Sequence, residues 1–330
     1  MSKLPFEEIP RTILVKKEAK TSDKFGCLPE QRPAEKLLDT GIVNIDKPAG
    51  PTSHQVSAYV KQILKLNKAG HSGTLDPNVT GVLAVALGKS TKIVQALLTA
   101  GKEYVCIMHL HNEVPEGKIR NVLTQFLGAI KQLPPLKSAV KRQVRERIIY
   151  YLDILEIDGR DVLFRVGCEA GTYIRKLCTD IGKKIGTNAH MAELRRTKAG
   201  PFNESTLSSL QELHDAYIFW KEDKNEAPLR KCIQSIEHAV AHLPKIWVTD
   251  YTVEPLCHGA ALNVPGIAKL ESDAQPEDVV AIMSLKNELI ALGTLKMSSE
   301  DIMQKEKGVV ALIDAVFMEP GTYPKMQKKV

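Results

Sequence analysis

At 330 residues with 43% hydrophobic content, the chain is long enough for one large core or, by usual domain size, two. Lys and Arg total 45 against 39 Asp and Glu, a formal +6, so an anionic partner depends on whether the basic residues cluster rather than on net charge. No apolar run approaches the roughly 18 residues of a membrane span, Met1-Ser2-Lys3-Leu4-Pro5-Phe6 has no signal core, and the cysteines make no C-x-x-C pair; this argues against a membrane protein, a disulfide framework and a cysteine zinc site, and predicts a cytoplasmic chain with reduced thiols.

Residues 1–39 hold much charge, several prolines and one short apolar patch, Ile13-Leu14-Val15, and read as an extended arm lying on the body. Ile42-Val43-Asn44-Ile45-Asp46 reads as a strand and Lys47-Pro48-Ala49-Gly50-Pro51 as a stiff turn. Ser53 is placed to cap a helix carrying Val56, Tyr59, Val60, Ile63 and Leu64 at helical spacing. Gly70, Gly73 and Pro77 then shape a tight turn around Asp76, just ahead of the apolar run from Val82 to Leu87, which reads as a buried strand. A carboxylate on a loop braced by the core is how many catalytic acids are held, although Asp also favours turns for local hydrogen-bonding reasons.

Gly101 to Leu110 reads as a strand with Tyr104 near its start, and Ile119 to Ile130 has helical periodicity. Lys137-Ser138-Ala139-Val140-Lys141-Arg142-Gln143-Val144-Arg145-Glu146-Arg147 is lopsidedly basic, as phosphate contacts require. A hairpin follows, from Ile148 to Ile157 and back through Val162 to Cys168, turning at Asp158-Gly159-Arg160-Asp161. Thr172 is placed to cap a helix whose buried stripe is Ile174, Leu177, Cys178, Ile181 and Ile185, so strand, glycine turn and helix start make an electropositive corner with Tyr173 and Arg175 on it. Arg195, Arg196 and Lys198 form another basic cluster. Leu207 to His242 is helical, broken at Asn225 to Pro228, and beyond Pro244 short β-prone runs separated by Gly, Pro and acidic turns fit a small barrel.

Five motifs, Asn44-Ile45-Asp46-Lys47-Pro48, His71-Ser72-Gly73-Thr74-Leu75-Asp76-Pro77, Lys102-Glu103-Tyr104, Lys137-Ser138-Ala139-Val140-Lys141-Arg142 and Gly171-Thr172-Tyr173-Ile174-Arg175, occur in the order and spacing of pseudouridine synthases of the tRNA T-loop family. Within it the chain most resembles the dyskerin-like catalytic subunits of box H/ACA guide-RNA ribonucleoproteins, and the missing lysine-rich tail favours the archaeal type. The resemblance implies an α+β fold: a catalytic domain at 40–243 with a mixed, mainly antiparallel sheet flanked by helices, then a small β-barrel PUA RNA-binding domain at 244–322 and a basic tail at 323–330.

It also implies roles. Asp76 would be the catalytic carboxylate, acting as nucleophile or in stabilising charge at the sugar, since a free Asp is ionised at neutral pH. Arg175 would pair with it, Tyr104 would stack on the flipped base, and Tyr173 would transfer a proton or pack against the sugar. His71 would fill the space the base leaves, Leu194 would wall the pocket, and Lys47, Lys141 and Arg142 would hold RNA. No cofactor or metal is implied. The implied partners are guide RNA, rRNA and tRNA substrates, a zinc-ribbon-type protein, a β-barrel protein and a kink-turn-binding protein. A stand-alone tRNA synthase and a non-catalytic RNA-binding scaffold are the competing readings.

Overall fold

The run Val82–Leu87 is apolar at every position because both of its faces are covered. In the computed structural model, which describes residues 2–134, 141 and 143–325, the run belongs to a strand inside a ten-stranded sheet. Leu83, Val85 and Leu87 pack on one side with helical residues such as Val56, Val60 and Trp220. Val82, Ala84 and Ala86 pack on the other side with Trp247, Met283 and Leu292 of the C-terminal region.

In chain order the elements are β1 (Ile13–Val15), α1 (Ala34–Thr40), β2 (Gly41–Lys47), α2 (Ser53–Ile63), β3 (Ala69–His71), β4 (Thr80–Leu87), α3 (Val94–Thr99), β5 (Lys102–Leu110), α4 (Glu116–Thr124) and β6 (Gly128–Gln132). There follow β7 (Arg145–Asp158), β8 (Asp161–Cys168), α5 (Ile174–Ile185), β9 (Ala189–Ala199), β10 (Phe202–Asn203), α6 (Leu210–Asp223), α7 (Ala227–Cys232) and β11 (Ile233–Ser235). The sheet order is β11-β2-β4-β9-β5-β8-β7-β6, with β3 on β4 and β10 on β9. Every pairing is antiparallel except β4 with β9, where Thr80 lies against Arg195 and Gly81 against Arg196. This parallel seam joins two antiparallel halves. The expected hairpin is β7 and β8, and Val162, Phe164, Val166 and Cys168 share its buried face against α5.

The C-terminal region consists of β12 (Lys245–Val248), α8 (Asp250–Cys257), β13 (Leu262–Asn263), β14 (Ile267–Glu271), β15 (Val279–Met283), β16 (Leu289–Leu295), α9 (Ser299–Gln304) and β17 (Val309–Val316). Its sheet runs β1-β14-β12-β15-β16-β17-β13.

Several local expectations are corrected. Thr52, not Ser53, caps α2, in a reciprocal box with Gln55. The helix expected over Ile119–Ile130 ends at Thr124 and the chain becomes strand β6 from Gly128, whose φ of +82° suits glycine at the break. Thr172 does not cap α5; its hydroxyl donates to the Glu169 carbonyl at 2.7 Å. The C-terminal region is not all-β, since it holds α8 and α9. The arm is more than a surface strap: β1 pairs antiparallel with β14, Ile13 against Glu271 and Val15 against Lys269.

The arm and the catalytic sheet meet near His242, whose ring meets Phe6 edge-on at 5.9 Å and whose carbonyl accepts from Arg11 at 3.1 Å. Burial first, with the cations Arg11, Lys102 and Lys245 adding to it, pushes the imidazole down to about 4. Between pH 6.5 and 4 the unfolded chain therefore binds a proton that the folded chain refuses, and stability falls as pH falls through that window. The difference corresponds to about 3 kcal/mol. Tm against pH should fall less steeply from pH 6.5 to 4 in His242→Leu than in wild type; parallel curves would count against a neutral buried ring.

Candidate active site

Asp76 stands between β3 and β4, on a loop held from several directions. Leu75 and Val79 are buried in the core on either side of it, while Asp76 itself is exposed. The Ser53 hydroxyl accepts from the Leu75 N–H at 2.8 Å and lies 3.2 Å from the Leu75 carbonyl, to which it can donate. The Lys47 ammonium donates to the carbonyls of Pro48, Pro77 and Val79 at 2.8, 2.8 and 2.9 Å. Gly50 N–H reaches the Pro77 carbonyl and Val79 N–H the Asp76 carbonyl, both at 3.0 Å. The acid is thereby fixed in direction while its carboxylate stays free to meet a substrate.

Arg175, in the first turn of α5, forms an ion pair with Asp76. Both side chains are about half exposed, so the pair contributes little to folding, and its geometry matters for chemistry rather than stability. Just before the helix, Tyr173 is gripped by Gln132, whose amide bonds both the N–H and the carbonyl of that residue.

Next to the loop lies a buried cation. Arg196 is buried on β9, donating to the Val82 carbonyl at 2.8 Å and the Gly73 carbonyl at 3.3 Å, and its guanidinium meets the Tyr104 hydroxyl. Burial holds Arg196 below its ordinary value and Tyr104 above its own, so the phenol stays neutral. A Cβ at Gly81, where φ is +99°, would clash with the Arg196 carbonyl across the seam. His71 ends β3, and its Nδ1 accepts from the Gly73 N–H at 3.4 Å; burial, then His54 and Arg196, keep the ring below 6.5 and neutral. Lys102 donates to the Leu97, Leu98 and Ala100 carbonyls at 3.1, 2.8 and 2.6 Å, and burial with Arg196 pushes it down to about 7.

Asp76 and Arg175 thus touch, Tyr104 and His71 share Arg196 as neighbour, Tyr173 precedes Arg175 by two residues, and Leu194 packs half-buried against the core that holds Leu75, Val79 and Tyr104. Lys47 is not presented to RNA: it is buried and its donors are spent on the loop. The basic cluster on β9 is likewise spent internally. Arg195 pairs with Asp46 and Glu204, Arg196 is buried, and Lys198 pairs with Glu7. Lys141 is exposed, whereas Arg142 and the 137–140 part of its motif lie outside the described residues. Sequence reasoning missed Ser53, Gln132 and Arg196 as site-forming residues. Only the pairing of a buried cation with Gly81 across two strands would have betrayed Arg196, and that pairing is not local. Among the described residues, no three His, Cys, Asp or Glu side chains gather to hold a metal.

Comparison with known proteins is consistent along the whole chain. The TruB family pseudouridylate synthase N-terminal domain matches residues 61–174, the tRNA pseudouridylate synthase B C-terminal domain 175–241, the PUA domain 244–317 and the DKCLD (NUC011) domain 2–57. The probable tRNA pseudouridine synthase B of Methanopyrus kandleri is 55% identical over 98% of this chain and 95% of its own length, and that of Thermococcus kodakarensis is 57% identical over 98% and 96%. The chain belongs to the TruB family of pseudouridylate synthases. Its fold is that of a TruB-type catalytic domain followed by a PUA domain, and the chain is an RNA pseudouridine synthase. A solved Cbf5-Nop10-Gar1 complex contains a chain that superposes on it with a TM-score of 0.95 at 56% identity, covering 98% of this chain and 99% of that one. An H/ACA ribonucleoprotein bound to a substrate RNA containing 2′-deoxyuridine gives a TM-score of 0.93 at 52% identity, covering 98% and 100%. In this chain the exposed Asp76 and its partner Arg175 sit where the two sheet halves meet.

The bracing has a measurable signature. Ser53→Ala leaves the buried Leu75 N–H and carbonyl without that partner and should cost about 1–3 kcal/mol in denaturant unfolding. Lys47→Met orphans three carbonyls and should cost more; a Lys47→Met chain as stable as wild type would remove the lysine from the brace.

Proposed function

We propose that this synthase isomerises uridines in rRNA chosen by a box H/ACA guide RNA, and acts on the tRNA T loop as well, with Asp76 as its catalytic carboxylate. The reading is carried by one observation: a half-exposed Asp76–Arg175 pair on a loop that is pinned on both sides of the acid. In the reaction the bond from ribose C1′ to uracil N1 breaks, the base turns, a C1′–C5 bond forms, the C5 proton leaves to solvent and N1 takes up a proton in its place. Asp76 acts at the sugar as the base departs, and Arg175 orients it with a planar fork that lysine lacks. Tyr104 offers a neutral aromatic face to the flipped base and Tyr173 faces the sugar. The partly buried His71 occupies the gap, Leu194 closes the wall, and the exposed Lys141, with Arg142, meets phosphate.

Partners follow from the structural relatives. Cbf5 is solved with Nop10 and Gar1, and this chain takes the corresponding zinc-ribbon-type and β-barrel proteins, with a kink-turn-binding protein held through the guide RNA. Among the described residues no helix is long and apolar enough to cross a membrane, and the ribonucleoprotein works in the cytoplasm of an archaeal cell.

The test is to incubate the purified chain with a tRNA transcript and with an H/ACA guide–target pair, each with and without the partner proteins, and to map pseudouridine. Modification of neither RNA in any arm would overturn the reading; modification of tRNA alone would leave a stand-alone synthase. Asp76→Asn should abolish tritium release from uridine C5 and leave RNA affinity within about twofold, since the change removes no cation that could meet phosphate. Full activity of that variant would sink the assignment. Charge reversal at Lys141 and Arg142 should weaken RNA binding and flatten its salt dependence by roughly 0.7–0.9 per lost phosphate contact.

A further inference from the structure

Gln132 closes the edge strand β6 and is almost wholly buried, at 2% exposure. Its amide meets the main chain of a single residue in both directions. Oε1 accepts the Tyr173 N–H at 3.0 Å, and Nε2 donates to the Tyr173 carbonyl at 3.1 Å. One side chain thus reproduces the two-way bonding that residues exchange across an antiparallel ladder.

Tyr173 is the point at which α5 begins. Its φ of −97° and ψ of 102° are extended, and no side-chain hydrogen bond caps the helix there. The carbonyl that Gln132 holds also accepts the first helical bond, from the Leu177 N–H at 3.0 Å. Immediately upstream, Gly171 takes a φ of +81°, a conformation that leaves the chain's exit direction for other contacts to fix. Gln132 supplies such contacts, and the helix it sets in place carries Arg175 against Asp76.

Packing alone does not call for an amide here. A buried carboxamide is costly unless its polar ends are paired, and an apolar residue of equal volume would fill the end of β6 as well. Both amide atoms are spent instead on the backbone of Tyr173, the last residue before the helix that carries Arg175.

We propose that Gln132 is a positioning residue of the isomerase site: its clamp on Tyr173 sets the start of α5, and with it the Tyr173 ring and the Arg175 guanidinium, against Asp76 and the target nucleotide. The inference rests on the proposed roles of Asp76, Tyr173 and Arg175. Gln132 touches none of the reacting atoms; it acts through the helix start. Misplacement of a reacting group by about 1 Å can cost on the order of 100-fold in rate, so a loosened helix start should be visible in the chemical step.

The experiment uses the full chain, with whatever partners the wild type requires, on the RNA that the wild type modifies. Gln132→Met keeps the volume and removes both hydrogen bonds; Gln132→Glu keeps the accepting half only. The single-turnover rate should fall about tenfold or more for Gln132→Met and less for Gln132→Glu, with RNA Kd unchanged within about twofold. In an Arg175→Lys background, Gln132→Met should add less than about threefold, because both changes act through the same corner. A wild-type rate for Gln132→Met, or an effect that multiplies in full with Arg175→Lys, would overturn the proposal. Thermal melts report whether Gln132→Met folds, and if it does not, a wild-type rate in Gln132→Glu overturns the clamp by itself. Asp76→Asn is assayed in parallel: if it is inactive while Gln132→Met is fully active, the clamp alone fails, and if it is active, the site reading itself fails.

Discussion

Three cationic side chains, Lys47, Lys102 and Arg196, are buried in the catalytic domain, Lys47 and Arg196 against the Asp76 loop and Lys102 against the end of α3, and among the described residues none of them has a carboxylate partner. Stripping water from such a group costs several kcal/mol even after relaxation. What offsets that cost is main chain: Lys47 and Lys102 each donate to three carbonyls, and Arg196 donates to two and meets the Tyr104 hydroxyl. A hydrogen bond from a charged donor contributes roughly 1.5–3 kcal/mol, so three of them are of the size needed. The Asp76 loop is therefore mutually dependent with Lys47 and Arg196, as the end of α3 is with Lys102. The carbonyls must converge for the charges to be tolerated, and the charges hold the carbonyls converged.

This arrangement also sets the electrostatics of the site. Arg196 is a cause of the lowered values of Lys47, Lys102 and His71 alike, which marks a shared positive interior. Such an interior, with low-dielectric walls, favours an approaching polyanion before any specific contact is made. The chain needs no large net charge for this; a formal +6 suffices when a few of its cations are buried and unpaired beneath the pocket.

The same feature explains what the sequence could and could not convey. The Asp76 turn, the buried strand behind it, the β7–β8 hairpin and the stripe of α5 were legible because each depends on spacing within one segment. Lys47 reads as an RNA-facing cation and Arg196 as one of a basic cluster because a Lys or Arg in a string carries no sign of burial, and their partners are carbonyls, which every residue has. Ser53 looked like a helix cap because Ser before an apolar stripe normally is one; that Thr52 caps and Ser53 reaches across to Leu75 depends on a loop 22 residues away. Gln132 lies just beyond the run with helical periodicity, and the strand that carries it begins inside that run, at Gly128, where local spacing gives no sign of the break. The five ordered motifs carry the family because they sample several distant segments of the fold at once, although Ser53, Gln132 and Arg196 lie outside them.

The seam between β4 and β9 gives the site its last constraint. Asp76 belongs to the half of the sheet built on β2 and β4, whereas Arg175 follows β8 in the other half. Only two residue pairs, Thr80 with Arg195 and Gly81 with Arg196, form the parallel junction. At Gly81 the backbones approach so closely that no Cβ fits, and the strand opposite contributes Arg196, whose side chain returns beneath the seam to bind Val82 and Gly73. Docking of the halves, burial of the arginine and delivery of Asp76 to Arg175 are in consequence one event. A chain that failed to close the seam would lose the ion pair along with the buried arginine, which is why the Asp76 carboxylate can remain exposed and weakly paired while its position stays defined: that position is a property of the closed sheet.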